Sequence, residues 1–282
     1  MKKIIYSLLL FVPQLVFAQI DFPQGSPKAE VSQVIGLNKV TVAYSSPAVK
    51  GRKIWGELVP YKAVWRTGAN EATQLEFSDT AIISGNKVPP GKYALFAIPE
   101  ESEWTIVLNK DFKQWGAYAY SEKQDVIRVK VKPAKSAEFN ERLLYTITPG
   151  ANNDGTINLY WENVKVSLPV ETDAKTRITQ NIKKALGEGE GRWSTLTEAA
   201  LYYHETGMDA TQALKWIDES ISLKKHYWNY WTKGKILAKQ KKYAEAVKAG
   251  QLALQIGAVN PDNYFTNDKV AVARDVEEWK KK

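Results

Sequence analysis

VKVSLPVETDAKTRITQNIKKAL, residues 164–186, holds two periodicities in one stretch. Val164, Val166, Leu168 and Val170 stand at every second position, the spacing of a strand with one buried face. Ala174, Ile178, Ile182, Ala185 and Leu186 then recur at helical spacing, with Asp173 placed to cap the start. This switch predicts an α+β chain in two parts. A β domain covers residues 19–170 and a helical domain covers residues 171–282, behind a leader at residues 1–18.

Upstream of the switch, from Val31 onward, apolar residues mostly alternate. Val40, Val42 and Tyr44 share a face, as do Trp104, Ile106 and Leu108, and Ile127, Val129 and Val131. Ile157, Leu159 and Trp161 form a late strand, and Val164, Val166 and Leu168 another. Turn signals separate the runs at Ser84-Gly85-Asn86, Pro89-Pro90-Gly91 and Asn152-Asn153-Asp154-Gly155. Some ten short strands without a helix predict an antiparallel β-sandwich, or a partly closed barrel, with the sandwich preferred.

Downstream, Glu188-Gly189-Glu190-Gly191 breaks the first helix. A second is expected to begin near Thr195, where Thr195 and Glu198 have capping-box spacing. Asp209 and Gln212 open another. Ala210, Ala213, Leu214, Ser220 and Ile221 are answered 33 residues later by Tyr243, Ala246, Val247, Ala253 and Leu254. That offset is close to the tetratricopeptide period of about 34 residues, and small residues let paired helices approach. YWTKGKILAKQKKYAEAVKAGQLAL, residues 230–254, resembles such a repeat, although Lys241 replaces the usual turn glycine and Gly250 stands where an aromatic is common.

The leader reads MKKIIYSLLLFVPQLVFA: two lysines, an apolar run, and Val16-Phe17-Ala18 with small residues where a signal peptidase cuts. The run is shorter than the about 20 residues of a membrane span, and Pro13 interrupts it. The expectation is an exported protein, periplasmic or secreted, with no membrane span after cleavage. The chain has no cysteine and two histidines, His204 and His226. That excludes thiol catalysis, a His-rich zinc site, and any Ser-His-Asp triad confined to the first 170 residues. No cofactor motif is present, and none is expected. Residues 19–172 carry 18 basic and 17 acidic groups, while residues 173–282 carry 19 and 14. Export argues against nucleic acid as the partner of the basic excess and favours an anionic envelope component or an acidic protein.

One stretch of the β half concentrates polar groups between apolar neighbours: AVWRTGANEAT, residues 63–73. It lies in VTVAYSSPAVKGRKIWGELVPYKAVWRTGANEATQLEF (40–77). VPPGKYALFAIP (88–99), EWTIVLNKDFKQWGAYAY (103–120) and WENVKVSLPV (161–170) follow it. Together these resemble the bacterial domain-of-unknown-function family 2911 over residues 28–170, about half of the chain. The resemblance implies an exported β-rich domain, often followed by helices, and brings no assigned activity.

Two readings of the stretch stay open. As a brace, Arg66 pairs with Glu71 or Glu57, Gly68 takes a positive φ, and Asn70 bonds the backbone. As a site, the Arg66 guanidinium with Asn70 and Glu71 clamps a carboxylate, a phosphate or a pair of sugar hydroxyls. The brace is preferred. Catalysis comes last, because a hydrolase needs a second carboxylate facing Glu71, from Glu57 or Glu76. Trp104 and Trp161 read as core. Trp55 and Trp115 follow loop-like stretches and are better placed for exposure. With Tyr118 they are the aromatic candidates for a ligand such as a glycan. Trp115, Tyr118 and Tyr120 could line a groove, although core or hairpin packing is preferred. In the helical half, Trp228, Lys235 and Lys239 form a candidate surface for an acidic peptide of another envelope protein. The two histidines are too isolated to act as ligands. The expected function is a non-enzymatic exported binding or scaffold protein with a helical interaction region, and the alternative is a carbohydrate- or small-ligand-binding domain.

Overall fold

Alternation in the first half is realised as ten strands in the computed structural model, which describes residues 23–151, 153–185 and 191–282. The leader read at 1–18 and residues 188–190 of the expected break lie outside the described residues. The first five strands are β1 (Lys28–Ile35), β2 (Asn38–Ser45), β3 (Gln74–Phe77), β4 (Ala81–Ile83) and β5 (Asn86–Val88). The next five are β6 (Gly91–Pro99), β7 (Trp104–Asn109), β8 (Asp125–Val131), β9 (Ala134–Pro149) and β10 (Asp154–Thr172). They form two antiparallel sheets, ordered β1-β2-β3-β6-β7-β8 and β5-β4-β10-β9, and neither closes into a barrel. The chain divides into two units between Asp173 and Ala174.

One apolar core joins the inner faces of the two sheets. Val40, Val42, Leu75, Tyr93, Leu95, Ile106 and Ile127 come from the first; Ile83, Leu143, Tyr145, Ile157, Leu159, Val166 and Val170 come from the second. Its centre is a quartet of tryptophans. Trp65 and Trp161 stack at 5.9 Å with ring planes 16° apart, and Trp55 and Trp104 approach each other at 4.9 Å. Trp55 therefore differs from its expected exposure: its ring is half-buried against the other three.

Strand β6 is buried on both faces, which explains why GKYALFAIP reads as an unbroken apolar run. Tyr93, Leu95 and Ala97 face the core, while Ala94 and Phe96 face outward. Residues 110–121 cover that outer face, packing Phe112, Ala117 and Tyr120 over Phe96 and Val107. The cover is pinned at its end. Tyr120 donates its hydroxyl proton to Asp125 at 2.7 Å, and Asp125 also accepts from Arg128 Nε at 2.7 Å and from Asn109 Nδ2 at 2.7 Å. Burial, with the carboxylate beside it, pushes the Tyr120 phenol up to about 12.

The two late strands expected at Ile157–Trp161 and Val164–Leu168 are one strand, β10. Its register with β9 shifts around Glu162, which takes φ 55°. The bulge lets a 19-residue strand bend without losing its partner.

Six helices make up the second unit: α1 (Ala174–Ala185), α2 (Arg192–Glu205), α3 (Ala210–Leu223), α4 (Tyr227–Lys239), α5 (Tyr243–Val259) and α6 (Asn263–Lys280). α2 starts three residues before the expected Thr195, with Gly191 at its N-cap and no side-chain cap. Asp209 caps α3 as expected, accepting from Thr211 and Gln212. Each helix packs on its successor, and α2 also meets α4, as α4 meets α6. A buried polar network ties α2, α3 and α4: Thr197 and Ser220 share a hydrogen bond of 2.8 Å, and Asn229 donates to Ser220 at 3.1 Å and to the Lys224 carbonyl at 2.7 Å. Every member finds a partner, so the network specifies one alignment of the helices. Among the described residues, no helix is long and apolar enough to cross a membrane.

Both histidines sit in this unit. His226 caps α4, its Nδ1 accepting from Trp228 N–H at 3.3 Å, and its Nε2 lies 3.4 Å from Asp262. Burial, the largest influence on each, holds both His226 and His204 below the ordinary value of 6.5. As pH falls through about 6.5, the unfolded chain therefore binds protons before the folded one does. Stability from these groups is full above that pH and is lost on acidification. Urea midpoints of the full chain are expected to fall between about pH 7.5 and about pH 5.5, and the double variant His204→Asn/His226→Asn to flatten that slope. An unchanged slope in the double variant would assign the pH dependence elsewhere.

Candidate functional site

Residues 62–66 stand where β3 ends and take over its place beside β6. Trp65 N–H donates to the Ala97 carbonyl at 2.8 Å, and Ala97 N–H returns a bond to Trp65 at 2.9 Å. Lys62 N–H bonds the Pro99 carbonyl at 2.9 Å. Trp65 thereby points into the core. Alternation puts Arg66 on the side of Val64, which packs with the cover of residues 110–121.

The turn that follows is held by hydroxyls and backbone. Thr67 Oγ1 donates to the Leu95 carbonyl at 2.8 Å, while Thr73 Oγ1 and the buried Tyr145 hydroxyl both donate to the Thr67 carbonyl at 3.1 Å. Thr73 N–H bonds the Arg66 carbonyl at 3.3 Å, and Leu95 N–H bonds the Thr73 carbonyl at 2.7 Å. Desolvation raises the Tyr145 phenol far above its ordinary value, so it stays a donor. A brace exists here, but its composition differs from the expected one. The Arg66 side chain forms no ion pair or hydrogen bond among the described residues. Glu71 pairs with Lys28 at 3.1 Å, Glu57 with Lys53 at 3.1 Å, and Glu76 with Lys92 at 3.3 Å.

Gly68 also departs from expectation. The positive φ values fall on Thr67 (53°) and Asn70 (57°) rather than on the glycine. Gly68 is required by close approach: a Cβ there would stand 2.8 Å from Thr73 Oγ1 and 3.1 Å from the Ser45 carbonyl oxygen. A left-handed β-branched threonine is costly, by about 1–3 kcal/mol, and the three hydrogen bonds hold it in place.

Asn70 fixes the other end. Its Nδ2 lies 3.3 Å from both the Ser26 carbonyl and Ser45 Oγ, and its carbonyl accepts from Gly116 at 3.0 Å. Ala72 N–H bonds the Gln114 carbonyl at 3.1 Å, and Glu71 forms a bridge with Trp115. These bonds clip the turn to the loop that carries Trp115 and Tyr118. Trp115 is 60 % exposed and Tyr118 87 %. Tyr120, by contrast, is engaged in packing against Phe96 at 5.2 Å and lines no groove with them.

Two neighbouring hollows share the Lys28–Glu71 pair. One of about 380 Å³ is lined by Lys28, Glu30, Ser45, Glu71 and Gln74 over a floor that includes Ala43 and Ala72. The other, about 330 Å³, is lined by Gln24, Ser26, Asn70, Glu71 and Trp115. Glu71 is held below the usual carboxylate range by hydrogen bonds from its own backbone and from Lys28. A general acid at neutral pH needs the opposite shift, so Glu71 is suited to accepting hydrogen bonds. Glu57, Glu71 and Glu76 each hold a different lysine. Arg66 lines neither hollow. Lys28 and Gln74 are among the lining residues that sequence reasoning missed; Lys28 is 43 residues from Glu71 and only the fold brings them together.

In the helical unit, Trp228 lies near Trp193 (6.4 Å) at the start of α4. Lys235 sits 3.6 Å over the Trp231 ring, and Lys239 donates to the His204 carbonyl at 2.7 Å. Trp228 and Lys235 are separated by about 10 Å along the helix. Burial lowers Lys235, which forms no ion pair among the described residues. Among those residues no group of three or more His, Asp or Glu converges in a metal-holding arrangement.

Neither the curated proteins nor the solved structures yield a match to this chain. Residues 26–170 match the family model described as "Protein of unknown function (DUF2911)". The match runs from the segment bonded by Asn70 to Val170 within β10, and the chain belongs to that family.

Proposed function

We propose that this chain is an exported, non-enzymatic binding protein of the bacterial envelope, whose sandwich holds a hydroxylated ligand of the glycan class. The observation that carries the reading is Trp115, a tryptophan 60 % exposed on a loop whose backbone is fixed, beside the ionised Glu71. An exposed indole offers an apolar face to the C–H side of a sugar ring, and carboxylate and amide groups beside it orient hydroxyls. Asn70, Gln74, Ser45 and Lys28 supply such groups. The leader motif supports export, and the family supports a β domain of this kind.

The helical unit fits a second, protein-directed role. Contacts of α2 with α4 and of α4 with α6 follow the alternation of tetratricopeptide hairpins. Lys235, half-buried on that series and without an ion-pair partner among the described residues, suits an acidic peptide.

Arrays of neutral glycans and of acidic peptides, probed with the full-length chain, test both roles. Trp115→Ala and Glu71→Gln are expected to weaken glycan binding about tenfold or more with folding retained. Lys235→Glu is expected to remove peptide binding alone. Binding that survives Trp115→Ala, or silent glycan arrays, would refute the sandwich reading.

A further inference from the structure

We propose that Arg66 anchors a separate anion subsite, which takes a carboxylate or phosphate group of a ligand lying against the loop of residues 110–121. Two observations of geometry carry this, and neither involves Trp115 or Glu71.

First, five other arginines find acceptors, and the Arg66 side chain finds none among the described residues. Arg52 donates to the Val49 carbonyl at 3.0 Å, Arg142 to the Ser46 carbonyl at 3.1 Å, and Arg128 to Asp125 at 2.7 Å. Arg192 pairs with Glu219, and Arg274 with Asp275 at 3.4 Å. The Arg66 side chain is half-buried, and its Nε is buried with no acceptor among the described residues. A guanidinium is a planar fork of donors that cannot give up its charge. Leaving its inner edge desolvated and unbonded costs free energy, and such a group calls for an explanation. A ligand oxyanion supplies what is missing.

Second, the backbone beside it is strained and deliberately held. Thr67 adopts φ 53°, an outlier for a β-branched residue, and three hydrogen bonds through its hydroxyl and carbonyl keep it there. That conformation ends the extended run at Arg66. Strain of this sort clusters where a protein must aim a group. Burial lowers Arg66, and the exposed Tyr118 phenol is near enough to raise it in part. Tyr118 stands on the loop clipped to the turn through the Asn70–Gly116 bond of 3.0 Å. A fork-shaped donor with a phenol beside it is suited to a planar carboxylate or to two phosphate oxygens. Two sources of the same chemistry are then in play: an acidic sugar and a phosphorylated ligand.

The subsite goes beyond the glycan reading, and its test is separate. Thermal melts of full-length wild type, Arg66→Met, Arg66→Lys and Tyr118→Phe are recorded at low ionic strength with glucuronate, with inorganic phosphate, and with neutral glucose. Wild type is expected to show a saturable rise in melting temperature with glucuronate or phosphate and none with glucose. A response to glucuronate alone assigns a carboxylate ligand, and a response to phosphate alone assigns a phosphorylated one. Arg66→Met is expected to abolish the response. Without anion it should melt no lower than wild type, because it removes an unsatisfied charge and keeps the aliphatic stem. Arg66→Lys, which retains charge but not the fork, is expected to bind about tenfold more weakly. A wild-type melt unmoved by both anions overturns the subsite. So does a response that Arg66→Met retains, or an anion-free Arg66→Met that melts well below wild type, which would make the residue structural.

Discussion

Replacing Trp65 by alanine is expected to destabilise the sandwich by about 3–5 kcal/mol, the range for deleting a buried indole. Trp65 is 8 % exposed and touches Trp55, Trp104 and Trp161 at ring separations of 5.7, 6.0 and 5.9 Å. The three neighbours come from the segment before it, from β7 and from β10, so no single element can relax into the space. The backbone bonds to Ala97 survive the change, which leaves the cavity as the principal cost. A urea titration followed by far-ultraviolet circular dichroism measures it without relying on the indole signal being altered. Aromatic pairs add about 0.5–1.5 kcal/mol beyond area burial. The cycle Trp65→Leu, Trp161→Leu and the double variant should therefore show a coupling of that size. A loss below about 1 kcal/mol for Trp65→Ala would mean that the quartet is not the centre of the core.

This quartet also shows how far the sequence could be read. Alternation located Trp104 and Trp161 on inward faces, because each sits among residues spaced by two within a regular strand. It was silent on Trp55, whose neighbours Gly56 (φ 85°) and the Lys53–Glu57 pair belong to a compact turn with no period to read. The switch of period puts the end of the β domain at residue 170, yet β10 runs on to Thr172 and pairs with β4 at its end. Glu162 at φ 55° joined two apparent strands into one, and a glutamate gives no local sign of left-handed backbone.

At the signature stretch, the polar cluster was legible and its wiring was not. Arg66 and Glu71 are five residues apart, so pairing them was the local guess. The fold sends Glu71 to Lys28 instead, across 43 residues, and puts a tyrosine from β9 under the turn. Glycine likewise suggested a positive φ at position 68, but only three-dimensional crowding by Thr73 and Ser45 reveals why no side chain fits. Charge proximity along a chain is a weak guide wherever non-local strands meet.

The same crowding logic sets the second large effect, in the helical unit. Gly250→Leu is expected to destabilise that unit by about 3 kcal/mol, through overpacking between α5 and α6. Even an alanine there is expected to destabilise. On an exposed helix interior, glycine to alanine gains about 1 kcal/mol from lower backbone entropy loss. Here the added Cβ would stand 2.3 Å from Val276 Cγ2 and 3.0 Å from the Trp279 ring. Val276 is 2 % exposed and Trp279 8 %, so neither has space to retreat. Trp279 also lies across Gly234, where a Cβ would meet it at 2.7 Å. One indole from α6 thus fills notches in both α4 and α5, which explains why glycines occupy positions 234 and 250. If steric contact with Val276 is the cause, Val276→Ala should be destabilising alone yet recover part of the loss in the Gly250→Ala background. Thermal melts of the three variants in the full chain decide it. Additive losses, or a Gly250→Ala protein more stable than wild type, would show that α5 and α6 are not in close contact at this point.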